Sequence, residues 1–178
     1  MGNPCLYKGY NVVMKKPKFF ISSEGKLPMG LMARILTVSL RPVCRVWYFE
    51  FNPELGNTVS DKILNQIKNS THMILIWSET TRNSPYVNQE IGAARYKKIP
   101  IVPLIEKSAR FEGTIKDADY IRYDPNHPID SIKKFIASLQ KLLKETGYEP
   151  LDMKQVEQKL ADFSDTLGSL DFKRQTEA

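Results

Sequence analysis

At 178 residues, with 42% apolar and 26% charged side chains, the chain is long enough to bury one good core plus appendages, and no stretch approaches the ~18 consecutive apolar residues of a spanning helix. The net charge of +6 admits an acidic partner, but no interleaving of basic and aromatic residues accompanies it, so nucleic acid is not expected. Cys5 and Cys44 form no paired or metal-ligand spacing, His72 and His127 are isolated, and no signal peptide is visible; the reading is a cytoplasmic protein without disulfide, metal or membrane anchor.

Short apolar runs alternate with helical stripes along the chain. After an N-terminal extension, residues 1–16, Lys18 to Ser22 (KFFIS) reads as a first strand. Pro28 to Leu40 carries Met29, Met32, Ile35, Leu36 and Leu40 at helical spacing and is ended by Pro42. Val43 to Phe49 is the next strand, followed by a turn-like stretch, Asn52 to Gly56. Thr58 with Asp61 three residues on makes a capping box ahead of a helix whose apolar face is Val59, Ile63, Leu64 and Ile67. His72 to Trp77 is an Ile- and Leu-rich run without polar alternation, the profile of a strand buried on both faces. Ser84-Pro85 supplies a helix cap and a proline at the first helical position, and Val87, Ile91 and Ala94 form the buried stripe behind them. Lys97 and Lys98 suit the negative end of that helix, and Pro100 stops it before a second apolar run, Ile101 to Ile105. Asp119 to Tyr123 is a weaker strand, and Pro128 to Leu143 a helix with Ile129, Ile132, Phe135, Ile136, Leu139 and Leu143 in register. This alternation predicts an α/β fold with a parallel sheet covered on both sides, in which ligands bind outside the carboxyl ends of the strands. Ser22, Glu50 and Trp77 fall there.

Within the helix that starts at Ser84, Tyr86 and Glu90 lie one turn apart on one side, bordering the buried stripe. That spacing sets a carboxylate at a cleft edge, beside a ring able to stack on a nucleobase. A partly solvated glutamate supporting Arg95 or Lys97 satisfies the same spacing.

FFISSEG (Phe19 to Gly25), WYFEFNPELGNTVSDKI (Trp47 to Ile63), IKNSTHMILIWSE (Ile67 to Glu79) and SPYVNQEIGAARYKKIPIVPL (Ser84 to Leu104), in that order and spacing, resemble the successive boxes of a TIR domain, of the free-standing microbial type. The resemblance spans residues 17–145. It implies a flavodoxin-like five-stranded parallel sheet of order 2-1-3-4-5 with helices on both faces, and a mobile loop from about Phe51 to Val59. It also implies that Glu90 matches the acid with which enzymatic members cleave the bond between nicotinamide and ribose in NAD. Tyr86 stands where those members often carry tryptophan. This chain departs from them after the first strand, where Ser22, Ser23 and Glu24 replace an aromatic or basic residue, and at Glu50, where many members have aspartate.

The chemistry suits a single acid. Nicotinamide in NAD is a cationic leaving group, so the bond breaks without a general acid and needs only a carboxylate to orient the ribose and stabilise a cationic transition state. Water then gives ADP-ribose, and capture by the substrate's own adenine gives a cyclic product. Ser22, Ser23 and Glu50 are candidate substrate contacts, with Phe51 and Trp77 as walls and Tyr86 as the stacking face; NAD is substrate and no cofactor is expected. The resemblance implies action in immunity or stress response, antiphage defence included, self-association through TIR–TIR contacts and a downstream effector. Two other classes fit the same fold: a non-catalytic TIR adaptor and a nucleoside deoxyribosyltransferase-like enzyme.

The tail, residues 151–172, forms an extra C-terminal helix. Met153, Val156, Leu160, Phe163, Leu167 and Leu170 make a heptad-like seam too short to stand free, so it must pack on its own domain or on a second copy. From residue 151 onward four basic side chains face six acidic ones, a net of −2 that leaves +8 on residues 1–150 and favours docking.

Overall fold

The computed structural model describes residues 14–26, 29–49, 59–111 and 118–176, without the side chains of 59, 60 and 167–176. Five parallel strands lie in the order β2-β1-β3-β4-β5, the expected flavodoxin-like arrangement. They are β1 (Lys18–Ser22), β2 (Arg45–Trp47), β3 (His72–Trp77), β4 (Ile101–Glu106) and β5 (Ile121–Tyr123). The six helices among the described residues are α1 (Met29–Leu40), α2 (Val59–Asn69), α3 (Glu79–Arg82), α4 (Pro85–Tyr96), α5 (Pro128–Glu145) and α6 (Met153–Thr176). β3 is central and buried along its whole length, as its unbroken apolar run requires. Both outer strands are trimmed to three residues, shorter than the apolar runs at Val43 to Phe49 and Asp119 to Tyr123.

Strand alternation divides the core in two. Phe19, Ile21, Ile74, Ile76, Leu104 and Tyr123 point to one face, where α1, α5 and α6 close a single large cluster. Phe20, Met73, Leu75, Trp77 and Ile105 point to the other, where α2 and α4 cover two small clusters. The tail packs in cis: Val156 and Leu160 are buried in the large cluster, with Met153 and Phe163 against it. Those seam residues are thereby occupied within the chain, and Leu167 and Leu170 lie outside the described side chains. The two ends of the domain also meet, since Lys15 pairs with Tyr148 and its carbonyl accepts the Glu149 amide at 3.0 Å.

Two local features position the site. Gly30 opens α1 so close to Gly25 that a Cβ there would stand 2.5 Å from the Gly25 carbonyl oxygen, which holds the β1–α1 turn against the helix. α4 starts as read, with Ser84 Oγ accepting the Val87 amide at 3.4 Å and Pro85 in the first turn. Its end differs from the reading: the chain leaves the helix at Lys98, in the left-handed region at φ 55°, and the Ile99 amide returns to the Ala94 carbonyl at 2.9 Å. Termination is therefore complete before Pro100.

Candidate functional site

Ser22 ends β1, and its parity with Phe20 turns it to the face covered by α4. Glu90 sits midway along α4, between Val87 and Ile91, which anchor the helix to β3 and β4. The two meet: Ser22 Oγ donates to Glu90 Oε2 at 2.5 Å, across 68 residues of sequence. Ser22 is buried and Glu90 half-buried at the carboxyl ends of the strands. Burial pushes the Glu90 carboxyl up to about 7, against the Ser22 hydrogen bond, which draws it down. Such a carboxyl changes charge near neutrality, the range in which an acid of modest cost to ionise can still serve as an anion.

The remaining expected residues separate. Tyr86 stands one turn before Glu90 with 72% of its surface exposed, so its ring is offered to solvent. Ser23 turns the other way and donates to the Tyr48 hydroxyl at 3.4 Å. Tyr48 belongs to the large cluster on the opposite face. Strand alternation thus gives two adjacent serines different tasks. Trp77 is only 4% exposed; its indole N–H donates to the Arg110 carbonyl at 2.9 Å and Phe111 meets its ring edge-on. The ring is thus engaged in the core and in anchoring the segment after β4, which leaves little of it for the wall expected there. Glu50, Phe51 and the rest of the expected loop up to residue 58 fall outside the described residues, and Val59 opens α2.

The reading of the sequence passed over several groups. The one-turn α3 is capped by Ser78, whose Oγ accepts the Thr81 amide at 3.1 Å. Glu79 on that turn accepts the Arg110 amide at 2.6 Å, and Arg122 donates to the carbonyls of Glu106, Lys107 and Ala109 at 3.1 to 3.2 Å. Together they pin the loop beyond β4 at the rim of the site. Ser78-Glu79 is a legible cap signal, whereas the reach of Arg122 back along β5 to β4 carries no local signature. Glu24 pairs with Lys26 at 3.5 Å through one oxygen, while its Oε2 is buried without a hydrogen-bond partner among the described residues.

No cluster of metal-ligating side chains occurs among the described residues, and none of their helices is long and apolar enough to cross a membrane. The TIR domain family model matches residues 19–136, about two thirds of the chain. No curated protein matches it in sequence. Among solved structures it is similar to a metazoan TIR-STING receptor from C. gigas, solved in complex with 2',3'-cGAMP, at 17% identity and a TM-score of 0.51, over 68% of this chain and 40% of that one. The chain therefore spans less than half the length of that receptor. Weaker likenesses are to a CMP N-glycosidase, BcmB, from Clostridium botulinum (17% identity, 66% of this chain and 96% of that one, TM-score 0.49) and to the TIR domains of the activated Roq1 resistosome (12% identity, 84% of each chain, TM-score 0.45).

Proposed function

The chain belongs to the TIR domain family, and on that premise we propose that it is an enzyme that cleaves the bond between nicotinamide and ribose in NAD, with Glu90 as its catalytic residue. The observation that carries the reading is the half-buried Glu90 carboxyl at the carboxyl ends of the strands, one oxygen held by Ser22. As the bond breaks, its electron pair passes to the ring nitrogen and neutralises the pyridinium. Positive charge then develops on the ribose, and an ionised carboxylate in a poorly solvated place stabilises it without reorganising. Water adds to the ribosyl carbon and loses a proton, giving ADP-ribose; attack by an adenine nitrogen gives a cyclic product instead. The exposed Tyr86 ring supplies a stacking face one helical turn away. NAD is consumed as substrate and no further cofactor is invoked. The setting that fits such chemistry is a cytoplasmic immune or stress response in which loss of NAD, or its product, is the signal to an effector.

Incubation of the purified protein with NAD, with products separated by chromatography, tests this. Release of nicotinamide together with ADP-ribose or a cyclic isomer is expected, and NAD left intact from pH 6 to 9 at high protein concentration would refute it. One observation bears on a second reading, in which the chain works by assembly. Between α2 and α4 runs a mainly apolar groove of about 510 Å³ lined by Leu64, Ile67, Gly92, Ala93 and Tyr96, with Tyr96 82% exposed. Self-association through exposed apolar surface is compatible with either reading, and concentration-dependent sedimentation without nicotinamide release would select the adaptor.

A further inference from the structure

We propose that Ser22 is a positioning residue for Glu90: its hydroxyl fixes one carboxylate oxygen, favours the ionised form and leaves the other oxygen free for the substrate. The inference rests on the reading of Glu90 as the catalytic carboxylate. Among the described residues Ser22 is the sole hydrogen-bond donor to Glu90. Its own geometry is fixed, since it closes a strand that pairs in register with β3, Ser22 opposite Leu75. A buried side chain on an interior strand has little freedom to release its partner, so the bond orients Glu90 rather than following it.

Among the described residues no charged neighbour is a cause of the Glu90 shift. Arg95 and Tyr86 lie on the same helix, yet burial and the Ser22 hydrogen bond alone account for the displaced titration of Glu90. On α3, Glu79 is engaged by the Arg110 amide and by Arg82 at 3.8 Å. After β1, Glu24 pairs with Lys26, and Tyr48 beyond β2 is met by Ser23. The balance at Glu90 is therefore between desolvation, which favours the neutral acid, and one hydroxyl, which favours the anion. Removing the hydroxyl leaves desolvation unopposed. To the substrate contact expected of Ser22 this adds a contact to the residue proposed to perform the chemistry.

The experiment follows the Glu90 carboxyl directly. With glutamate labelled in its side-chain carbon, NMR titration of wild type, Ser22→Ala and Ser22→Thr is compared with the pH profile of NAD cleavage. In Ser22→Ala the Glu90 titration is expected to move about one pH unit higher, the worth of one charge-assisted hydrogen bond. The acid limb of kcat/KM should move with it, so that activity at pH 6 falls about tenfold while the alkaline plateau falls much less. Ser22→Thr keeps the hydroxyl and should restore both. Should the alanine variant not fold, Ser22→Cys, close in shape and a weak donor, should move the titration in the same direction. An unmoved Glu90 titration in either folded variant overturns the inference. A displaced titration in a protein that leaves NAD intact supports the Ser22–Glu90 coupling and removes NAD cleavage as its purpose, which separates the two failures.

Discussion

The two faces of the sheet are built to different standards. Under α1, α5 and α6 one continuous apolar cluster runs from Phe19 to Leu160, while under α2 and α4 the core breaks into two small clusters and a carboxyl group lies at its edge. The first face supplies stability, and the second tolerates a buried acid. A carboxyl whose titration is raised by burial lowers the stability of the folded state once ionised, a cost that packing elsewhere in the fold must offset. The C-terminal helix closes the thick face with Val156 and Leu160, on the side of the sheet opposite Glu90.

The comparison breaks most visibly from the thick side. Leu160→Ala should cost about 3 to 5 kcal/mol in urea denaturation, by removing a fully buried side chain from the large cluster. Below its new melting temperature the variant should keep the Glu90 titration of wild type. From the thin side, Glu90→Gln should lower NAD cleavage by about 10²-fold or more, because it deletes the charge that stabilises the cation and keeps the volume.

Its effect on stability has the opposite sign. The folded carboxyl titrates at about 7 against an ordinary value of 4.5, so the folded state holds a proton that the unfolded chain releases over that window. Wild type therefore loses stability as pH rises through it, and glutamine does not. The variant should be the more stable protein at pH 8 by up to about 3 kcal/mol, with the advantage shrinking toward pH 5. Thermal unfolding at the two pH values measures this.

Smaller changes sharpen the contrast. Tyr86→Ala should weaken substrate binding by about 1 to 3 kcal/mol through loss of a stacking face, seen in KM, while unfolding changes by less than about 0.5 kcal/mol at so exposed a position. Tyr86→Phe should be nearly silent. On the thick face the Tyr123 hydroxyl is buried without a partner among the described residues. Tyr123→Phe should therefore be neutral or stabilising by about 1 kcal/mol or less, with catalysis unchanged.

Local signals carried much of this in the sequence. Ser84-Pro85 set the start of α4, the stripe Val87, Ile91, Ala94 set the side it buries, and Glu90 bordering that stripe was legible from helical period alone. The alternation of apolar runs and stripes, with the ordered boxes of the family, was enough for the parallel sheet and its order. The seam in α6 declared that it must be buried, but the same pattern serves a neighbouring helix of its own chain or of another copy. Only the packed core decided for α1 and α5. Trp77 looked alike as wall or core until Arg110 and Phe111 came to it from beyond β4. The partner of Ser22 was beyond local reading too. Alternation gives a side chain its face, but which atom it meets there depends on how a helix far along the chain is seated over the sheet. Periodicity is a property of neighbours in sequence, whereas the Ser22–Glu90 bond, the burial that raises Glu90 and the burial of the Tyr123 hydroxyl are properties of groups brought together by packing.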